Sequence, residues 1–574
     1  MLELLQILNQ CGKRNGQAGA VPGRGEKRAA VSVNSNLPSD VDLPPRPTRL
    51  GVAGWSALEV ALIVLVFFLY AGGPPPDVNE AHYLAKARHF WDRAWCAGDL
   101  FLQSADAHPA FYLVTGWLTR LSSLAAAAWI TRLATWTLLG LAWQRLSAAL
   151  VPRRWYSVLS AALFVVLADR CHISGEWVVG GAEAKGLAYV LVLLGLEALV
   201  RGRWGRAWVW FGGAAAMHVV VGGWAVVAAG VAWTLQPSAA RPRGAAMWPG
   251  LVLGGLVSLV GLLPVLRMSW GVDPEIIRQA NQIYVFYRLP HHLVAHAFPG
   301  PMLAAHLALF AGWWGLGRLV PTTPEARRLR GFVWGAVGLA LAGAVIDQAL
   351  LGQPDLAARL LRFYWFRLSD ALLPAGAALA CVALLDHYRV QRPAAASWVL
   401  LGAVACCTLS LLVTVQQRWA DFRPGADVQS LPRDAARPQK TAQVYEDWRG
   451  ICRWIAHNTP DDAVFLTPSR QQTFKWYAGR AEVVNFKDVP QDPASVVQWH
   501  ERWRDGAALD RAADGPPPLP RAWFQLAERY DFQYVVVDRT IHPWEIVCPL
   551  IYANDTYALY FLPRHRKSSG EAPP

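Results

Sequence analysis

The sequence predicts a polytopic α-helical membrane protein of about 11 spans followed by a C-terminal extracytoplasmic α/β domain. Three observations predict it. Of the 574 residues, 54% are hydrophobic and only 17% are charged, against about 25% in an average soluble domain. Several stretches stay apolar over about 20 residues, the length a helix needs to cross the hydrocarbon core, and Met247–Val265 carries no charge at all. The net charge of +13 is confined to residues 1–416, which hold 34 basic and 21 acidic residues, while residues 417–574 hold 20 of each. That excess lies in short loops between apolar segments. It therefore reads as positive-inside bias and predicts no nucleic-acid partner. The same figures exclude a disordered chain and a small disulfide scaffold.

Residues 1–54 are polar, with Lys13, Arg14, Arg24, Lys27, Arg28, Arg46 and Arg49, and lack the apolar core of a signal peptide. They read as a disordered cytoplasmic tail. Spans are predicted near 55–72, 124–146, 154–170, 184–201, 204–219, 221–236, 247–268, 302–319, 331–352, 368–386 and 396–416. Basic clusters at Arg145/Arg153/Arg154, Arg201/Arg203/Arg206, Arg241/Arg243, Arg318/Arg327/Arg328/Arg330 and Arg389/Arg392 assign those loops to the cytoplasm. The parity of the spans then puts the C-terminal part outside, as in a multi-pass inner-membrane protein. Residues 109–121 are apolar but too short to span, so a surface-lying helix is predicted there, within the first outer loop 73–123. In 417–574, strand candidates Ala463–Leu466, Glu482–Phe486, Tyr534–Val537 and Tyr557–Phe561 alternate with helical patterns Val444–His457 and Arg521–Tyr530, the pattern of a small α/β domain.

With this topology the acids and histidines collect in the outer loops, where a polar cluster above a helical bundle suggests a site. The first loop reads PPPDVNEAHYLAKARHFW, residues 74–91. Asp77 and Glu80 are three apart, on one helical face with Tyr83. The same spacing also describes a capping box that uses both carboxylates on backbone N–H groups. His108 follows in the same loop. The second outer loop reads GEWVVGGAEAKG, residues 175–186. Glu183 sits there behind two glycines, placed either for a helix dipole or for close approach to a ligand. His218 lies at the bend of the hairpin 204–236. His291 and His292 lie in YRLPHHL; adjacent residues face apart on a helix, and with no HExxH and no CxxC, zinc has no sequence support. Residues 358–374, ARLLRFYWFRLSDALLP, carry Arg362 and Arg367 on the outer side, where a guanidinium suits a phosphate. Five residues apart, they diverge by roughly 140° on one continuous helix. Snorkelling, or an Arg367–Asp370 pair, is the alternative. Cys452 and Cys548 share the outer domain, where an oxidising compartment allows them to pair.

The layout resembles the GT-C superfamily of membrane glycosyltransferases, which includes oligosaccharyltransferases, protein O-mannosyltransferases and aminoarabinose transferases. The resemblance rests on Asn79-Glu80-Ala81-His82-Tyr83 and His108-Pro109-Ala110-Phe111-Tyr112 in the first outer loop, and on Gly180-Gly181-Ala182-Glu183 in the second. Asn79 stands where that family usually has its catalytic Asp. NEAHYL, YRLPHHL, FRLSDALLP and WIAHNTPDDAVFLTP also resemble a multispan bacterial family of planctomycete type, which supplies no function.

The GT-C resemblance implies a glycosyltransferase that moves a sugar from a polyprenyl-phosphate-type lipid donor to an acceptor at the outer face of the bilayer. Glu80, with Asp77 in reserve, would be the catalytic base. Arg362 or Arg367 would hold the carrier phosphate. Glu183, His218, His291, His292, Tyr83 and His108 would line the substrate cavity, with Mg²⁺ or Mn²⁺ on Glu183 and Asp77 as an open option. A transporter or flippase for a lipid-linked or small polar substrate, or a non-catalytic assembly protein, is the alternative.

Overall fold

The first apolar helix, Gly54–Ala71, opens a bundle in which, among the described residues, six helices are long and apolar enough to cross a membrane. The others are Leu124–Leu150, Gly244–Arg267, Pro324–Ala349, Arg367–Gln391 and Pro393–Ala420. The computed structural model describes residues 49–431, 437–511, 520–542 and 546–563. Residues 53–574 form one unit, and the tail predicted over 1–54 lies almost entirely outside the described residues.

The remaining segments predicted to span also form helices: Tyr156–Cys171, Ala184–Val200, Trp204–Met217, Val219–Thr234 and Gly300–Leu319. The first four are shorter, at 14–17 residues, while Gly300–Leu319 has 20 and buries only His306 and Trp313. Arg367–Gln391 is the bundle's central helix, with 78% of its apolar window buried; Pro393–Ala420, at 6%, lies at the rim. Small residues let helices touch through their backbones. A Cβ added at Gly212 would lie 2.1 Å from the Gly254 carbonyl oxygen, and one at Gly250 equally close to that of Gly205. Trp204–Met217 and Gly244–Arg267 are thereby packed backbone to backbone. Residues 109–121 form two short helices, Pro109–Thr115 and Leu118–Leu121. Leu113, Val114 and Leu121 on them, and Trp117 between them, are exposed, as a surface-lying segment requires.

The predicted cytoplasmic loops meet at one end of the bundle. There Glu59 accepts from Gln144 Nε2 (3.1 Å) and from the Trp155 amide (2.7 Å), Arg153 pairs with Asp386, and Arg328 donates to the Val200 carbonyl. The predicted outer loops meet at the other end, beneath the C-terminal domain.

That domain holds a five-stranded sheet of order β2-β1-β3-β5-β4, with β1 Val464–Leu466, β2 Ala481–Glu482, β3 Tyr534–Asp538, β4 Leu550–Ala553 and β5 Tyr557–Phe561. β1, β2 and β3 are parallel; β5 runs antiparallel to β3 and β4. Alternation along β3 builds two cores. Val536 packs with Trp448, Ile451 and Ile455 of the helix Pro438–Asn458. Val535 and Val537 pack with Trp499 and Trp503 of Pro493–Arg511 and Trp523 of Pro520–Tyr530. All three helices begin on proline, whose missing N–H and fixed φ suit a first turn. Sequence patterning misses β4 because it is an edge strand with little buried face. Cys452 and Cys548 are both free thiols; they belong to the separate cores on opposite faces of the sheet, so the pairing that the compartment would allow is not made.

Candidate functional site

A cavity of about 420 Å³ lies where the predicted outer loops meet the C-terminal domain. The first loop contributes Asn79, His82 and Tyr83; the second Trp177, Glu183 and Lys185; the fourth Tyr284, Arg288, His291 and His292. Tyr364 and Arg367 enter from the start of the central helix, and Arg470, Lys487 and Gln491 from the C-terminal domain. Lys185, Arg288, Arg367, Arg470 and Lys487 are cationic, while Glu183 is the carboxylate on the wall. The volume falls in the range of small-molecule sites, roughly 300–1,000 Å³.

The helix Glu80–Trp91 starts on Asn79, and this start sets two side chains apart. Asn79 Nδ2 donates to Glu183 Oε1 at 3.1 Å, joining the first and second loops at the cavity wall. Glu80 turns the other way and is fully buried. Its Oε2 accepts from the Asp77 amide (2.8 Å), as a capping box does. Arg132, from the helix Leu124–Leu150, grips both carboxylate oxygens, and Oε1 also accepts from the Ala182 amide at 2.7 Å. The carboxylate expected as base is thus saturated and off the cavity wall, where it ties the two loops together.

Asp77, the reserve, is also off the wall. Its Oδ1 accepts from the Val78 amide, and the segment around Gly425 covers it so closely that a Cβ at Gly425 would lie 2.6 Å from that oxygen. Gly181 of the second loop serves the same packing: a Cβ there would lie 2.7 Å from Glu80 Cγ, so it admits Glu80 rather than a ligand.

The two arginines also separate. The helix breaks between them, into Pro354–Leu361 and Arg367–Gln391, with Tyr364 at a positive φ of 54°. Arg367 reaches the cavity, where its Nε lies 2.9 Å from Glu176 and its guanidinium packs over the Tyr364 ring. Arg362 instead donates to Asn281 Oδ1 at 2.6 Å and is not on the wall. The Asp370 alternative for Arg367 does not form; Asp370 accepts from the Ile173 and Ser174 amides and fixes the second loop.

His218 and His108 stand behind the wall. Arg367 Nη1 lies 3.2 Å from His218 Nε2, and His218 stacks on His108, which in turn meets Tyr83. His291, His292, Tyr83 and Glu183 do line the cavity. Glu183 and Asp77, the expected metal pair, occupy different environments, and among the described residues no group of three or more His, Cys, Asp or Glu is placed to hold a metal ion.

Several wall residues were not singled out from sequence: His82, Arg288, Arg470 and Lys487. Arg288 donates from Nε to the Phe486 carbonyl at 2.8 Å, so it docks the C-terminal domain and charges the cavity at once. Lys487 is pushed down to about 8 by burial and by the Arg288 charge. Beneath it, Lys475 lies within 3.1 Å of Asp99, 2.6 Å of Glu482 and 2.7 Å of Asp488. This buried cluster locks the first loop to the C-terminal domain. The local signal was a Lys-Asp pair in the proline-bounded loop FKDVPQDP, but its use becomes visible only when two domains meet.

Asn79 suits this wall because its amide can donate to Glu183. In Asn79→Asp two carboxylates would face each other at hydrogen-bond distance, and like charges so close cannot both ionise freely. We expect the variant to take up a proton, seen as a carboxylic C=O band near neutral pH in difference infrared spectra.

Comparison with known proteins gives three findings. Residues 446–505 match a family model described as a domain of unknown function, DUF6798. A search of curated proteins finds no match. Among solved structures, the chain is similar to ArnT from Cupriavidus metallidurans bound to undecaprenyl phosphate, with 16% identity over 89% of this chain and 97% of that one and a TM-score of 0.44. It is also similar to the oligosaccharyltransferase of Archaeoglobus fulgidus, with 14% identity, 84% and 68% coverage and a TM-score of 0.45. The arabinofuranosyltransferase AftD from Mycobacteria is similar at 14% identity, 88% and 41% coverage and a TM-score of 0.46. These neighbours are of the kind that the sequence resemblance to GT-C glycosyltransferases names.

Proposed function

We propose that this protein is a membrane glycosyltransferase that takes a sugar from a polyprenyl-phosphate-type donor and passes it to an acceptor at the outer face of the membrane. The observation that carries this reading is the charge of the cavity. Five cationic side chains line it against Glu183, with Glu176 paired behind Arg367 and Lys185, and this positive excess suits an anionic ligand, guanidinium groups suiting a phosphate in particular. The predicted spans deliver a lipid carrier from the bilayer to that end of the bundle. Arg367, Arg288 and Lys487 hold the phosphate and stabilise the charge that develops as it departs. Glu183, fixed by Asn79 and Lys185, is left to accept from sugar hydroxyls, and a divalent cation on it is tested by titrating activity with Mg²⁺ or Mn²⁺. A larger cavity of about 900 Å³ in the C-terminal domain shares Gln429, Ser430 and Arg470 with this one and gives an acceptor its approach. The walls are loops and the outer domain rather than helix midsections, which favours transfer at one face over transport through the bundle.

The test is reconstitution of the full chain in proteoliposomes with a panel of radiolabelled undecaprenyl-phosphate-linked pentoses, hexoses and aminopentoses. With a cell-envelope extract supplying acceptors, we expect label to leave the carrier from at least one donor; no transfer from any of them contradicts the proposal. Orientation is tested separately. An alkaline phosphatase fusion after residue 420 should be active and a cytoplasmic reporter at that point silent.

The charge of Lys487 adds a pH dependence. In the empty cavity its ammonium titrates near pH 8, and a phosphate beside it restores the charged form. Binding of undecaprenyl phosphate above pH 8 therefore takes up a proton and weakens as pH rises. Lys487→Arg, charged throughout, should flatten that alkaline loss.

A further inference from the structure

The cavity holds a group that can take a proton, and it is not a carboxylate. His82 lies on the wall, two helical residues beyond the saturated Glu80. Its Nδ1 lies 2.9 Å from Asp488 Oδ1. An ionised carboxylate can only accept, so Nδ1 carries the hydrogen and Nε2 keeps its lone pair. The ring is fixed on both sides, 4.2 Å from Phe101 and 5.5 Å from Tyr83 between centroids. Asp488 is itself fixed, by Lys475 at 2.7 Å and by Asn485 Nδ2 at 2.8 Å. A buried carboxylate that orients a histidine on the wall of a substrate cavity, and leaves its second nitrogen unprotonated, is the arrangement of a general base.

Resting on the transferase reading above, we propose that His82 is the catalytic base of this protein and that Asp488, from the C-terminal domain, is its positioning residue. The acceptor hydroxyl oxygen attacks the anomeric carbon and forms the new C–O bond. The bond from that carbon to the carrier's phosphate oxygen breaks, and its electron pair leaves with the phosphate. The hydroxyl proton passes to His82 Nε2, giving an imidazolium paired with the Asp488 carboxylate, and is later lost to water. The arrangement accounts for Asn79. With the base at His82, one turn on along the same wall, position 79 is free to carry an amide that binds Glu183.

The charged and titratable groups facing His82 are Asp488, Lys487 and Lys475 from the C-terminal domain, Tyr83 on its own helix and His108 from the same loop. Burial lowers the His82 pKa, and the two lysines add to this against the opposing pull of Asp488. Burial would raise that of Asp488, but Lys475 and His82 outweigh it and hold the carboxyl well below the usual range. The resting dyad is therefore neutral imidazole beside carboxylate, the protonation state a base requires. Activity should be lost as pH falls through the His82 pKa, giving an acid limb below 6.5.

The test uses the full chain in proteoliposomes, with the donor panel for turnover and undecaprenyl phosphate alone for binding. We expect His82→Asn to bind undecaprenyl phosphate within about two-fold of wild type while kcat falls at least about 100-fold, the scale of general-base catalysis. The acid limb should vanish with it. Asp488→Asn keeps His82 in place, and we expect a smaller fall in kcat with the acid limb moved to lower pH. A His82→Asn protein that keeps its kcat, or that loses binding in step with rate, overturns the dyad while the transferase reading stands. A wild type that turns over none of the donors overturns both. If His82→Asn does not fold, Asp488→Asn decides: an unmoved acid limb overturns the proposal.

Discussion

Arg132→Ala should destabilise the protein by about 3–5 kcal/mol, the cost of removing one partner from a buried ion pair. Arg132 and Glu80 are 1% and 0% exposed. The arginine is also bound to the Gly73 carbonyl at 2.6 Å, so it joins the end of the first span, the first loop and, through Glu80 and the Ala182 amide, the second loop. Truncation leaves the Glu80 carboxylate buried with only two amide donors. Glu80→Gln should also destabilise, because it leaves the Arg132 guanidinium buried without its counter-charge, but by less, since the Gln Oε1 still accepts from Arg132. Arg132→Met/Glu80→Leu should recover much of the loss, since an apolar pair leaves no charge unpaired. Thermal denaturation in one detergent across these variants checks the order. Were Glu80 the base instead, Glu80→Gln would abolish turnover in a protein of near-normal stability.

Arg367→Ala should weaken binding of undecaprenyl phosphate by about 30-fold or more, since truncating a desolvated, hydrogen-bonded charge costs about 2–5 kcal/mol. The larger effect compared with Arg362 follows from position. Arg367 is on the cavity wall between Tyr364, Glu176 and His218, whereas Arg362 is engaged with Asn281 behind it. Arg362→Ala should therefore leave binding within about two-fold. Arg367→Lys should rescue only partly, because an ammonium cannot reproduce the fork. Scintillation proximity binding of labelled undecaprenyl phosphate separates the three variants.

Much of the fold is legible in the sequence because hydrocarbon imposes a length and charge rule on each span, and because β1, β3 and β5 have buried faces that pattern their residues. Parts of the site are legible for the same reason: Glu183, Tyr83, His291, His292 and Arg367 are polar groups that a topology places on one face. Glu80 is not legible in this way. Asp-x-x-Glu at a helix start describes both a site and a capping box, and the partner that decides between them, Arg132, lies 52 positions away inside an apolar span. Arg362 and Arg367 could be separated only by knowing where the helix breaks. His82 stands in NEAHYL beside the carboxylate, but its role depends on Asp488, 406 positions on. No local pattern connects them, because the link is the docking of one domain on another.

The central claim, that the cationic cavity beneath the C-terminal domain receives the phosphate of a polyprenyl carrier, is tested most directly by photocrosslinking. Undecaprenyl phosphate bearing a diazirine on the first isoprene unit would be irradiated with the full-length protein in nanodiscs and the labelled peptides mapped by mass spectrometry. The account predicts label in the segments around Tyr284–His292 and Phe486–Gln491, displaced by excess undecaprenyl phosphate and strongly reduced in Arg367→Ala. Displaceable label confined to the midsections of the bundle helices, unchanged by Arg367→Ala, would contradict it.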